Sequence, residues 1–309
     1  MSDLLNLTVL LGILGTGISL ATPYLYASIG ETFVQVSGVY NLGVDGIMLM
    51  GAFSGFFVAL RTGNLWLGLL AAAVVGGLMG LLMALISVTL KAEQGISGIG
   101  LQLFGLGLSS LLFQKTIGSP QPINGFQAVK IPLLGDIPYL GSVLFNHTVL
   151  VYGAFLLVPI AAFVLNKTTF GLKVRAAGQN PQAADSLGVN INRIRYTTLL
   201  IGGILAGIAG ASLSIAWVNL FQQNMTNGMG FIAVALVYFG GWRPWGVLGG
   251  AMLFSLVNAL QFQVQIGNLN IPYDILVMMP YILTILALAF TRHAQTPAAL
   301  SKPFERGEN

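Results

Sequence analysis

LWLGLLAAAVVGGLMGLLMALISVTL, Leu65 to Leu90, holds no charged side chain and stops only at Lys91. A helix crosses the hydrocarbon of a bilayer with about 20 apolar residues. In lipid every backbone N–H and C=O must be satisfied internally, so such a run reads as a helix. This one stretch decides the fold class: an all-α, polytopic transmembrane helical bundle. Working outward from it, comparable runs lie near residues 5–29, 39–60, 95–115, 147–166, 194–218, 228–241, 245–263 and 272–291. Together with 65–90 they predict about nine crossings, with eight to ten compatible. The run at 228–241 is short enough to be re-entrant, and the polar stretch from Glu31 to Gly46 makes the second crossing irregular.

Composition agrees. Fifty-five per cent of the 309 residues are hydrophobic and 7% charged, against about 25% charged in a soluble domain. The net charge of +4 does not mark a nucleic-acid binder, because the basic residues fall mainly in loops between the apolar runs. The absence of cysteine excludes a disulfide framework and a thiolate site. Met1-Ser2-Asp3 lacks the basic segment of a cleaved signal, so the first run is read as a retained span.

Lys and Arg accumulate in cytoplasmic loops. The loop 167–195 carries Lys167, Lys173, Arg175, Arg193 and Arg195 against Asp185 and is placed inside. Alternating from there puts Lys91, Arg243 and the tail 292–309 inside, and Arg61, Lys115 and Lys130 outside. The N-terminus is then external and the C-terminus cytoplasmic. The chain is read as one membrane domain, 1–309, with an external loop over 116–146 interrupted by Pro120, Pro122, Pro132 and Pro138. Residues 39–115 and 228–291 repeat a Gly-rich span, a Trp (Trp66, Trp245) and further spans in opposite directions, which suggests an inverted repeat. Small residues four apart, such as Gly76 and Gly80 or Gly203 and Gly207, let helix backbones approach closely.

No catalytic centre is legible. The nucleotide-gripping run Gly-x-x-x-x-Gly-Lys-Ser/Thr does not occur, nor does Gly-x-Ser-x-Gly. His147 and His293 have no carboxylate at metal-ligand spacing, so no metal site is expected; Asn146-His147-Thr148 reads as a helix start. Glu31, Asn41, Gly43, Asp45 and Gly46 are read as tying down a broken helix. The alternative, a carboxylate pair for an ion-coupled secondary transporter, uses the same residues. Neutral amides and aromatics form the candidate solute pathway: Gln102, Phe104 and Gln114, then Asn219, Phe221, Gln222, Gln223 and Asn224, then Phe254, Asn258 and Gln261. They fit an uncharged, hydrogen-bonding solute. Asn180 to Gly188 reads as a short loop helix, with Asn180 as N-cap, Pro181 first and Gly188 just past the end. Ala183, Ala184 and Leu187 give it an apolar ridge for a soluble partner.

Gly171 to Val189, GLKVRAAGQNPQAADSLGV, resembles the cytoplasmic coupling segment of ABC permeases of the ribose and branched-chain amino-acid importer group. Glu31 to Gly46 and Gly228 to Gly250 resemble two further blocks of that group, with Asp45 where Glu is commoner. In detail the chain looks most like the nucleoside permeases. The resemblance implies a multi-pass protein of the prokaryotic plasma membrane, without cofactor of its own. ATP and Mg would act in a separate ATP-binding-cassette subunit, contacted through Arg175, Gly178, Asn180, Pro181, Ala183, Ala184, Asp185, Leu187 and Gly188. It also implies a second permease subunit, a paralogue in nucleoside systems, and an extracytoplasmic substrate-binding lipoprotein. Membrane lipid is the solvent and nucleic acid no partner. A sugar or a branched-chain amino acid is the alternative solute.

Overall fold

A computed structural model describes residues 7–132, 135, 137, 140–266, 278, 279, 282 and 296–305. The elements run α1 (Leu7–Val36), α2 (Val44–Thr62), α3 (Leu65–Ala84), α4 (Gln94–Thr116), β1 (Ala128–Lys130), α5 (Leu140–Leu144) and β2 (Asn146–Thr148). They continue with α6 (Val149–Lys167), α7 (Thr169–Gln179), α8 (Pro181–Ser186), α9 (Ile191–Ser212), α10 (Met229–Phe239) and α11 (Pro244–Ile266). A π-helical turn prolongs α3 over Leu85–Thr89 and α9 over Leu213–Trp217. Seven of these helices are long and apolar enough to cross a bilayer, and α10 is a shorter apolar helix. Of the span expected at 272–291 only residues 278, 279 and 282 are among the described residues; Asp274, Pro138 and His293 lie outside them. Of the second half of the expected repeat, 228–291, the described residues hold α10 and α11.

The bundle is held by backbone contact. Between apolar helices in lipid there is no hydrophobic driving force, and dispersion at close approach replaces it. A Cβ on Gly76 would overlap the Gly203 carbonyl oxygen, and one on Gly80 that of Leu199. The two small-residue pairs of α3 and α9 thus face each other. A Cβ on Gly51 would meet the Gly207 Cα at 2.5 Å, so α2 joins the same seam. Ser214 Oγ adds an interhelical bond to the Ala52 carbonyl at 2.8 Å.

One expectation is corrected and the external loop gains detail. The first helix does not end near residue 29 but continues through Glu31 to Val36, because the Glu31 carboxylate finds partners within the protein. The loop 116–146 holds a short antiparallel pair, Ala128 opposite Thr148 and Lys130 opposite Asn146. Residues 146–148 form β2 and lead directly into α6, which begins at Val149 with Thr148 as its N-cap, so the stretch is both a strand and the helix start read from the sequence. His147 ties β2 to α1 and to α5, its Nδ1 to Ser19 Oγ at 3.1 Å and its Nε2 to the Val143 carbonyl at 2.7 Å.

The two ends of the bundle differ. At one, the Trp66 ring packs edge-on against Phe126, and the Ile123 amide bonds the Asn219 carbonyl. At the other lie α7, α8, Lys91 and the segment 296–305. There Lys91 pairs with Glu305 at 2.7 Å, the Ala299 N–H donates to the Gly178 carbonyl, and Arg195 Nη1 donates to the Lys302 carbonyl at 3.0 Å.

Candidate functional site: the connector and the loop helices

Residues 37–43 join α1 to α2, and their polar neighbours form a buried knot. Glu31 Oε1 accepts from Gln35 Nε2 and from the Asn41 N–H, each at 3.3 Å. Asn41 Oδ1 accepts from the Gly43 N–H at 2.9 Å, which closes the turn into α2. Gly38, at φ +90°, supplies the left-handed residue that reverses the chain. Gly46 lies so close to α4 that its Cβ would stand 2.6 Å from the Gln102 Cα. Glu31 and Asp45 are each 1% exposed.

The same knot grips α10 at both ends. With 11 residues, this helix is about 16 Å long, roughly half the hydrocarbon thickness. Its first turn has free N–H groups, and Asp45 Oδ1 accepts one of them, from Gly230, at 2.9 Å. The negative charge also complements the helix N-terminus. Beyond the other end, Trp242 Nε1 donates to Gln35 Oε1 at 2.9 Å. The chain enters α10 through residues 218–228, where Asn219, Asn224, Asn227 and Gly228 all have positive φ.

The loop helices form next to the connector. Thr168 caps α7 through a bond from the Gly171 N–H at 3.1 Å, and Asn180 caps α8 through one from the Ala183 N–H at 3.0 Å. Gly188, at φ +83°, ends the segment. Arg175, Asn180 and Ala183 are exposed, Pro181 and Asp185 half-buried, and Gly178 buried. The ridge is narrower than its sequence suggests: Leu187 is 84% exposed, but Ala184 turns inward at 4% and packs on the core. Six helical residues make under two turns, so neighbouring alanines diverge. Gly178 is held against the connector, where a Cβ would overlap the Val36 carbonyl oxygen and stand 3.2 Å from the Gly38 nitrogen.

The candidate solute residues are not brought together. Gln114 and Phe104 lie exposed on α4, with Gln102 half-buried. Phe221 is fully buried against Phe53, Phe56 and Phe113. Gln222, Gln223 and Asn224 are exposed, and Asn219 is half-buried. Asn258 bonds the Tyr24 hydroxyl at 3.3 Å, Phe254 packs edge-on against Tyr24, and Gln261 is half-buried. Gln35, its bond with Trp242 and the packing of the segment 296–305 against Gly178 escaped the sequence reading, since no local pattern announces such distant partners. Among the described residues no group of acidic and His side chains could hold a metal ion.

Comparison with known proteins covers nearly the whole chain. Residues 13–288 match the family model described as branched-chain amino acid transport system / permease component. The guanosine ABC transporter permease protein NupQ of Bacillus subtilis is 35% identical, over 93% of this chain and 94% of its own. The nucleoside ABC transporter permease protein NupC of Lactococcus lactis is 36% identical, over 90% and 92%. The "Putative glucose ABC transporter permease protein" of Haloferax volcanii is 40% identical, over 82% and 78%. No solved structure matches. Among the described residues seven helices are long and apolar enough to cross a membrane, in keeping with a membrane permease. The chain belongs to the branched-chain amino acid transport system permease family, as a multi-pass membrane permease subunit of an ABC importer.

Proposed function

We propose that this permease lines the pathway of a nucleoside importer and docks a separate ATP-binding-cassette subunit on α7 and α8. The observation that carries the solute class is the segment 218–228. It exposes Gln222, Gln223, Asn224 and Asn227, contains no ionisable side chain, and leads into the half-length helix α10. Amides donate and accept, so they match ribose hydroxyls and base edges without fixing a charge. A permanently charged solute would need compensating charges along its path. The guanosine and nucleoside permeases matched over most of their length support the same class.

Docking rests on the exposed Leu187 beside the basic α7, a small apolar knob with flanking charge. ATP and Mg act in the docked subunit, a paralogous permease completes the pathway, and an external lipoprotein delivers solute. The N-terminus is then external and the end bearing α7 and α8 cytoplasmic. The name of the Haloferax relative favours a second reading, a sugar. Competition for uptake decides between them in cells carrying the complete system. Unlabelled guanosine and adenosine inhibit on the nucleoside reading; inhibition by ribose or glucose alone supports the sugar, and by leucine alone refutes both.

A further inference from the structure

The connector 37–43 touches the loop helices on one side and holds α10 on the other. On the first side the contact is backbone on backbone. A Cβ at Gly38 would lie 3.4 Å from the Gly178 Cα, and one at Gly178 would overlap the Val36 carbonyl. The Thr198 hydroxyl binds Ser37 Oγ at 2.9 Å, and the Ala299 N–H bonds the Gly178 carbonyl, so α9 and the tail clamp the same joint. On the second side, Gln35 and Asp45 flank the connector in sequence and hold the two ends of α10 through Trp242 and Gly230. A closely packed backbone contact cannot absorb displacement by side-chain rotation.

We propose that the connector transmits movement of α7 and α8 to α10, with Asp45 and Gly178 as the positioning residues. This rests on the docking reading above. Pushing α7 displaces Val36 and Gly38; α10, gripped at both ends, moves with them. It carries residues 218–228 and their exposed amides, the four positive φ angles marking a segment that already holds an uncommon backbone. The half-helix is the two-state element that ATPase and solute both bias, as a coupling path requires. Asp45 lends α10 an attachment rather than binding solute, since its carboxylate is 1% exposed and engaged by Gly230.

The complete reconstituted importer tests this with Asp45→Ala, which removes the acceptor, and Asp45→Asn, whose amide oxygen still accepts from Gly230. Asp45→Ala should lower transport at least tenfold and abolish stimulation of ATP hydrolysis by solute, with the ATPase subunit still co-purifying. Asp45→Asn should restore most of both. A second measurement needs no disrupted variant: in the cysteine-free chain, Gln223→Cys should change its thiol-labelling rate between nucleotide-free and ATP-bound assemblies. Adding Gly178→Ala should suppress that change. Transport by Asp45→Ala within twofold of the parent, loss of the ATPase subunit from it, or labelling of Gln223→Cys indifferent to nucleotide overturns the proposal. Leu187→Glu separates the two readings. If it leaves the ATPase bound and transport intact, docking on α8 is wrong whatever the Asp45 variants do.

Discussion

Gly207→Ala should loosen the seam on which the bundle is built. In a helix interior the exchange normally stabilises by about 0.5–1 kcal/mol, because glycine loses more backbone freedom on folding. Gly100 on α4, whose Cβ would meet nothing within 4 Å, is the control for that gain. At Gly207 the new methyl would overlap the Ala72 carbonyl oxygen, 3.0 Å from the Gly76 Cα and 3.1 Å from the Ala72 carbonyl carbon. All are backbone atoms, so α3 must retreat by roughly 1 Å, which forfeits about a quarter to a half of each contact well along the seam. Overpacking costs about 1–3 kcal/mol, and an immobile neighbour places this site near the top. Set against the propensity gain, the net loss is about 2 kcal/mol. Unfolding in mixed micelles by titrated SDS, followed by tryptophan fluorescence, measures it. Gly203→Ala on the same seam should be non-additive with Gly207→Ala, because the first substitution already separates the helices. Gly207→Ala as stable as the parent, or a strictly additive pair, refutes the close-contact account.

Asn180→Ala removes the α8 cap and should cost about 1 kcal/mol locally, read as a weakening of ATPase-subunit association by about fivefold. Glu93 caps α4 by accepting from the Ile96 and Gly95 amides, and these bonds hold its pKa below the ordinary 4.5. Its folded value is the lower one, so the cap is fully effective above the unfolded value and lost as pH falls through the folded one. Exchange protection at Gly95 and Ile96, corrected for intrinsic rates, should drop there, and Glu93→Gln should remove the step. Topology is tested by single cysteines. Ser186→Cys should react with an impermeant reagent from the cytoplasmic side and Asn124→Cys from outside; the opposite pattern inverts the assignment.

Apolar length and cap chemistry were legible because both are local. Leu65–Leu90 dictates a span by itself, and Asn180, Pro181 and Gly188 bound α8 as their backbone preferences require. Glu31 misled for a physical reason. A carboxylate reads as the edge of the hydrocarbon, yet Glu31 Oε1 accepts from Gln35 and Asn41 inside the protein, while its buried Oε2 has no partner among the described residues, and the helix runs on to Val36. Ala184 was misplaced because a ridge drawn over three residues ignores rotation within so short a helix. The grip of Gln35 and Asp45 on α10 joins residues 207 and 185 positions apart, and no periodicity encodes such a pairing. The Gly-rich stripes announced close packing but not their partners; only the fold sets Gly76 against Gly203.

The central claim is that the chain moves solute only when a separate ATPase drives it, and vesicle uptake tests that most directly. Proteoliposomes carrying the complete assembly, with binding protein on the receptor side and ATP on the other, should accumulate labelled guanosine without any ion gradient. Omitting the ATPase subunit should abolish accumulation. Uptake by the permease alone under a proton or sodium gradient would contradict the account and return Glu31 and Asp45 to the centre of an ion-coupled mechanism.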